Sequence, residues 1–158
     1  MITALLCLMS MAVSAGDNLF VAEDVVWAKD GQCELVIGLT NEDDVSGMQF
    51  DLYLPDGITI QKNERGREVT QTTERLDKVS VICKHLEGNR YRFVIFSMRA
   101  KPLAGNSGAL FSIPLEKTDA VKKGDYVARF TGINLSVVLD NKNTNCVVGP
   151  HELKIKVK

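Results

Sequence analysis

Nowhere along the 158 residues does apolar spacing near 3.6 hold for three turns, while spacing of two recurs from end to end. Such a chain folds into sheets. The clearest run is "GMQFDLYLPDG". Met48, Phe50, Leu52 and Leu54 alternate with Gln49, Asp51 and Tyr53, and a Pro-Asp-Gly turn closes the strand. Successive strand side chains point to opposite faces. Phe50 and Leu52 are therefore expected in the core, and Gln49, Asp51 and Tyr53 on a second, polar face.

Other runs repeat the pattern. "NLFVAEDVVWA" and "CELVIGLT" flank an Asp30-Gly31 turn signal. "ITIQ" is a short strand. "KVSVICKHL" and "RYRFVIFSM" flank "EGN", a tight hairpin. "ALFSIPLEK", "YVARFTGINLSVVLD" and "ELKIKVK" complete the set, and Pro114 places its strand at an edge or ends it early. "KNERGREVTQTTERLD" reads as a short exposed strand or an irregular excursion. "TDAVKKGD" has room for one helical turn, and "AKPLAGNSG" and "NKNTN" read as loops. About nine short strands without a long helix predict an all-β, antiparallel sandwich or barrel. The length is that of one domain.

The first residues differ. "MITALLCLMSMAVSAGD" has no charge before Asp17, an apolar run from Ile2 to Val13, and small residues at Val13 and Ala15. It has the outline of a secretory signal peptide over residues 1–15, although no Lys or Arg leads it, with the mature domain at 16–158. The run is too short to span a bilayer, and no second span follows. Leu6 before Cys7 argues against a lipoprotein site.

Nineteen basic residues balance twenty acidic ones. Nothing in that balance points to the concentrated basic surface that nucleic acid needs. No catalytic residue is expected. His85 and His151 stand in no Ser-His-Asp or Cys-His order, and no carboxylate pair suggests a glycosidase. No cofactor is expected. No metal is either: "NEDD" at 41–44 lacks the EF-hand spacing and reads as a solvated acidic loop, and no Cys-x-x-Cys suggests zinc. Cys33, Cys83 and Cys146 allow at most one disulfide within a chain, and their spacing does not choose a pair. Sugar binding calls for aromatic rings exposed in a row, and only Tyr53 is clearly outward.

In "RYRFVIFSM", Arg90 and Arg92 share parity with Val94 and Phe96, and Tyr91, Phe93 and Ile95 share the other. Two apolar faces mark a central strand. With Arg92 facing water, Val94 and Phe96 stand beside Tyr53, and an apolar patch with a polar rim marks a protein contact.

Taken in order, "FVAEDVVWAKDGQCELVIGLTN", "MQFDLYLPDGI", "YRFVIFS" with "GNSGALFSIPLE", and "DAVKKGDYVARFTGINLSV" resemble successive strands of a cohesin domain, the receptor module of cellulosome scaffolds. The resemblance covers most of the mature chain. It implies a nine-stranded jelly-roll β-sandwich, close to several carbohydrate-binding modules, and a secreted or cell-surface module that binds without catalysis. The implied partner is a dockerin-type protein, docked on the sheet carrying the family's third, fifth, sixth and eighth strands. Aligned on Phe50, Gly47 and Gln49 stand where the family offers an Asn and an Asp. The implied partner-binding residues are Gln49, Asp51, Tyr53, Arg92, Val94 and Phe96, with Tyr53 as anchor. A carbohydrate-binding module, with a polysaccharide as ligand, is the second reading. A structural ectodomain of a cell-envelope assembly is the third.

Overall fold

The computed structural model describes residues 16–29 and 31–158. The leader expected over residues 1–15 and Asp30 of the first turn lie outside these residues. The elements in chain order are β1 (Asn18–Val21), β2 (Val25–Trp27), β3 (Cys33–Asn41), β4 (Asp44–Tyr53), β5 (Ile58–Ile60), β6 (Gln71–Thr72), a 3-10 turn (Glu74–Leu76), β7 (Ser80–His85), β8 (Arg90–Phe96), β9 (Ala109–Lys117), β10 (Gly124–Leu139), β11 (Lys142–Val147) and β12 (His151–Val157).

Two sheets pack face to face. The five-stranded sheet runs β1-β3-β9-β5, with β6 also on β9. The seven-stranded sheet runs β2-β12-β10-β4-β8-β7, with β11 also on β10. All pairings are antiparallel except β2 with β12. The expected sandwich is present, with twelve strands among the described residues in place of nine. Three particulars account for the difference. The first run breaks at Ala22–Asp24, so that β1 joins one sheet and β2 the other. Gln71 and Thr72 pair with β9. "NKNTN", expected as loop, instead continues the β10 hairpin as β11, turning on Asp140 and Asn141 at positive φ. Asn and Asp tolerate that conformation and so make a two-residue hairpin turn without glycine.

Pro114 corrects the edge assignment. β9 runs through it, with β3 on one side and β5 and β6 on the other. Its missing donor falls in the gap between β5 and β6. There Gln61 donates to the Pro114 carbonyl (2.9 Å), and the Gln61 carbonyl accepts from Val69 N–H (2.8 Å). No ladder bond is lost, so the proline is tolerated inside the sheet. The stretch at 118–123 forms a turn and a bend rather than a helix.

The core is continuous and aromatic at its centre. Phe50 is fully buried; it stacks on Phe93 (5.0 Å between ring centroids) and meets Phe20 and Phe130 edge-on (5.5 and 5.7 Å). Leu52 lies in the same buried layer. The register inferred from alternation is thus the register observed. Trp27 is also core, its indole N–H donating to the Gly31 carbonyl (3.0 Å).

Arg75, on the 3-10 turn, is buried and is paired with no carboxylate among the described residues. Its guanidinium donates to the carbonyls of Leu39, Ala104, Gly105 and Gly108 and to Asn41 Oδ1. Five donors in a fixed fork suit such a set of carbonyls. The residue ties the 100–108 loop to β3.

Candidate functional site

β4 lies between β8 and β10, and its ladder sets out the outer face of the seven-stranded sheet row by row. Tyr53 pairs with Arg90 and Arg129, Asp51 with Arg92 and Thr131, Gln49 with Val94 and Asn134, and Gly47 with Phe96 and Ser136. β7 extends three of these rows with Lys84, Ile82 and Ser80. All six residues singled out from sequence therefore stand on one face. Gln49 is exposed, Tyr53 is 37% exposed, and Arg92, Val94 and Phe96 are half-buried. Ile82, directly beside Val94, is 51% exposed.

Asp51 is on this face but not open to it; only 6% of its surface reaches solvent. Arg92 Nε donates to Oδ1 (2.7 Å) and its terminal nitrogen to Oδ2 (3.0 Å), while Arg90 Nε also donates to Oδ2 (3.1 Å). The Arg92 hydrogen bonds hold the Asp51 carboxyl below the usual carboxylate range, against the opposing effect of burial, with Arg90 adding to them. Arg90 also lies over the Tyr53 ring, 5.7 Å from its centroid. Two guanidinium groups facing one carboxylate leave this end of the face with excess positive charge. Lys84 and Arg129 flank it, and the Arg129 charge is met by Glu152 (2.7 Å).

The other end is polar and uncharged. A depression of about 360 Å³ runs between β4, β8, β10 and β11, lined by Gln49, Asn134, Ser136, Asn143 and Asn145, with Phe96 on its rim. Asn134 Oδ1 is buried there and accepts no hydrogen bond from any described residue. Ser46 and Gly47 form a bulge in β4, and Ser46 Oγ reaches the Ser136 carbonyl (3.2 Å). A Cβ on Gly47 would meet the Ile95 carbonyl oxygen at 3.0 Å. This position therefore presents no side chain to a partner.

Sequence reasoning left Arg90 and Asn134 out of the site. Arg90 was within reach, because it shares parity with Arg92. Asn134 was hidden by a second bulge: Gly132 has φ 59° and the β10 register shifts between Thr131 and Asn134, which turns Ile133 inward and Asn134 outward. The glycine inside a strand run was the available signal.

The two histidines have structural partners. His85 stacks on Tyr91 (4.6 Å between centroids) and bonds the Gly88 carbonyl, closing the β7–β8 hairpin. His151 bonds the Ala22 carbonyl (2.6 Å) against the Phe20 ring. In the acidic loop, the Asp43 carboxylate accepts from Gly16 N–H and from Asn18 Nδ2. Among the described residues no group of three His, Cys, Asp or Glu is placed to hold a metal ion. The thiols of Cys33, Cys83 and Cys146 are free. Burial pushes the first two up, to about 11 and about 12. No helix among the described residues is long and apolar enough to cross a membrane.

No protein-family model matches the chain, and no curated protein matches it. Solved structures do. The seventh ScaB type I cohesin of Pseudobacteroides cellulosolvens superposes with a TM-score of 0.72 at 14% identity, over 89% of this chain and 92% of that one. A type I cohesin–dockerin complex of Clostridium thermocellum gives 0.71 at 12%, over 90% and 100%. A non-cellulosomal cohesin of the archaeon Archaeoglobus fulgidus gives 0.63 at 15%, over 89% and 91%. The chain has the cohesin fold, a two-sheet jelly-roll sandwich. In this chain that fold carries its continuous polar and apolar face on the strands β7, β8, β4 and β10.

Proposed function

We propose that this protein is an exported, non-catalytic binding module that takes a protein partner of dockerin type on the outer face of its seven-stranded sheet. The observation carrying this reading is the adjacency on that face of Ile82, Val94 and Phe96, next to the Arg90–Asp51–Arg92 cluster; Tyr53 lies on the far side of that cluster, paired with Arg90, and not beside Val94 and Phe96 as alternation suggested. An apolar strip beside two arginines, with an amphipathic ring beyond them, has the makeup of a contact patch. The likeness to cohesins solved in complex with dockerins supports a protein partner of that kind. Tyr53 and Ile82 supply the contact area. Arg90 and Arg92 meet an acidic group of the partner, while Asp51 orients them. The amide-lined depression favours a second reading, a hydroxyl-rich glycan, although the exposed ring of Tyr53 is not among the residues that line it.

Affinity capture from the source organism's culture fluid, with and without calcium, tests the proposal. A helical protein retained only with calcium is expected. Its retention should fall at least tenfold in Tyr53→Ala and Ile82→Asp, the loss typical of a central contact. Both variants should keep the parent's melting temperature. Retention of a glycan instead, or retention unchanged in both variants, overturns the protein-binding reading.

A further inference from the structure

At the start of the described chain, the backbone nitrogen of Gly16 lies 2.9 Å from Asp43 Oδ2, and the Asp17 nitrogen 3.0 Å from Glu42 Oε2. Asn18 braces the same carboxylate: its Nδ2 donates to Asp43 Oδ2 (2.7 Å) and to the Gly16 carbonyl (3.1 Å). Asn41 Nδ2 holds the Asp43 carbonyl (2.8 Å), and Arg75 holds Asn41 Oδ1 (2.8 Å). The socket is therefore tied into the buried Arg75 network. It also admits no side chain at position 16. A Cβ there would stand 2.9 Å from both Cβ and Oε2 of Glu42 and 3.3 Å from Asp43 Oδ1. The sequence immediately before it, Val13-Ser14-Ala15, has the small residues that a leader-cleaving endopeptidase reads.

We propose that Ala15–Gly16 is a processing site and that Glu42, Asp43 and Asn18 form a socket for the α-ammonium group which cleavage creates. Hydrolysis of that peptide bond by an endopeptidase consumes one water. The Ala15 carbonyl carbon leaves with the leader as a carboxylate, and the Gly16 nitrogen becomes a free amine that is protonated at neutral pH. A hydrogen bond from a neutral amide to the carboxylate is thereby replaced by one from a cationic donor, an ion pair that is shorter and stronger. The charged groups around the nitrogen are Glu42 and Asp43 from the β3–β4 loop and Asp17 from its own segment. The neighbouring residues 104–108 carry no charge. All the formal charges next to the new cation are negative. The ammonium is held in its charged form, so the stabilisation is present below the ordinary α-amino pKa of about 8 and is lost as pH rises through the higher value of the folded state. Maturation thus locks β1, the strand that opens the five-stranded sheet.

The inference rests on the export reading above and is independent of what the sheet face binds. The full chain is expressed through a secretory route, and the exported product is weighed and sequenced from its N-terminus; Gly16 is the expected first residue. Chains beginning at Gly16 and at Ala15 are then released from a cleavable fusion; both contain both sheets. At pH 6 the Gly16 chain is expected to melt about 3 °C higher. The difference should vanish by about pH 10 and should be absent at every pH when Glu42→Gln and Asp43→Asn are combined. An exported product that retains Met1 or starts elsewhere overturns the processing site. A Gly16 chain melting no higher than the Ala15 chain, or a difference that ignores pH, overturns the socket and leaves export standing.

Discussion

At the residue scale, Phe50 and Asp51 are neighbours in sequence with opposite roles. Phe50 points into the aromatic centre of the core. Phe50→Ala leaves a cavity among rigid rings and should cost about 3–5 kcal/mol by urea denaturation. Asp51 points outward, yet both its oxygens are engaged by arginines. Replacing it leaves two guanidinium groups facing each other, so Asp51→Asn should cost about 2 kcal/mol, more than an ordinary surface change. Because the folded-state carboxyl is held below its ordinary value, this stability is present above about pH 4 and is lost as pH falls through the folded value. Denaturation profiles of the parent and of the Asp51→Asn variant, taken between pH 7 and pH 2, should therefore converge at the acid end. Asp51 thus sets the shape of the binding face by holding Arg90 and Arg92.

At the element scale, the 3-10 turn at Glu74–Leu76 is three residues long and has one of the largest mechanical roles. Through Arg75 it joins the 100–108 loop to β3, and that loop in turn covers the end of the sandwich through Leu103 N–H to the Val45 carbonyl (2.7 Å). Arg75→Ala removes the donor from the buried Leu39 carbonyl and Asn41 Oδ1 together and should cost about 3 kcal/mol. Hydrogen exchange should quicken at the amides of Leu39, Asn41, Leu103 and Ala104, which bond within or beside this junction. If those amides keep their protection, the loop is held by its own packing and not by the arginine. The central strands β4, β8 and β10 lie between other strands and have no such dependence on a single side chain.

At the scale of the whole molecule, the inner and outer sheet faces differ in balance. The inner faces are mainly apolar, with Asn18 and Asn41 buried at one end, and the outer face of the seven-stranded sheet runs from a cationic end at Arg90, Arg92 and Lys84 past the apolar strip at Ile82, Val94 and Phe96 to an amide-lined end at Asn134, Asn143 and Asn145. A net formal charge of −1 conceals this division. An interaction through the cationic end weakens with added salt, since exposed charges are screened within about 10 Å at 0.1 M.

Alternation alone determined the class of fold, the burial of Phe50 and Leu52, and the shared face of Gln49, Asp51 and Tyr53. These depend on the period of two, which is local. Glycine and proline signals also marked the turns, because they act through the backbone of a few residues. What the alternation left open was decided by pairing between distant strands. Pro114 lies inside a sheet because Gln61, bonded in turn by Val69, satisfies its carbonyl in the gap between β5 and β6. Asn134 faces outward because a bulge at Gly132 resets the parity of β10 against β4. Asp51 is covered because Arg90 and Arg92 arrive beside it from another strand. Each is a property of register between segments far apart in the chain, and the period of a single strand carries no information about its partner's register.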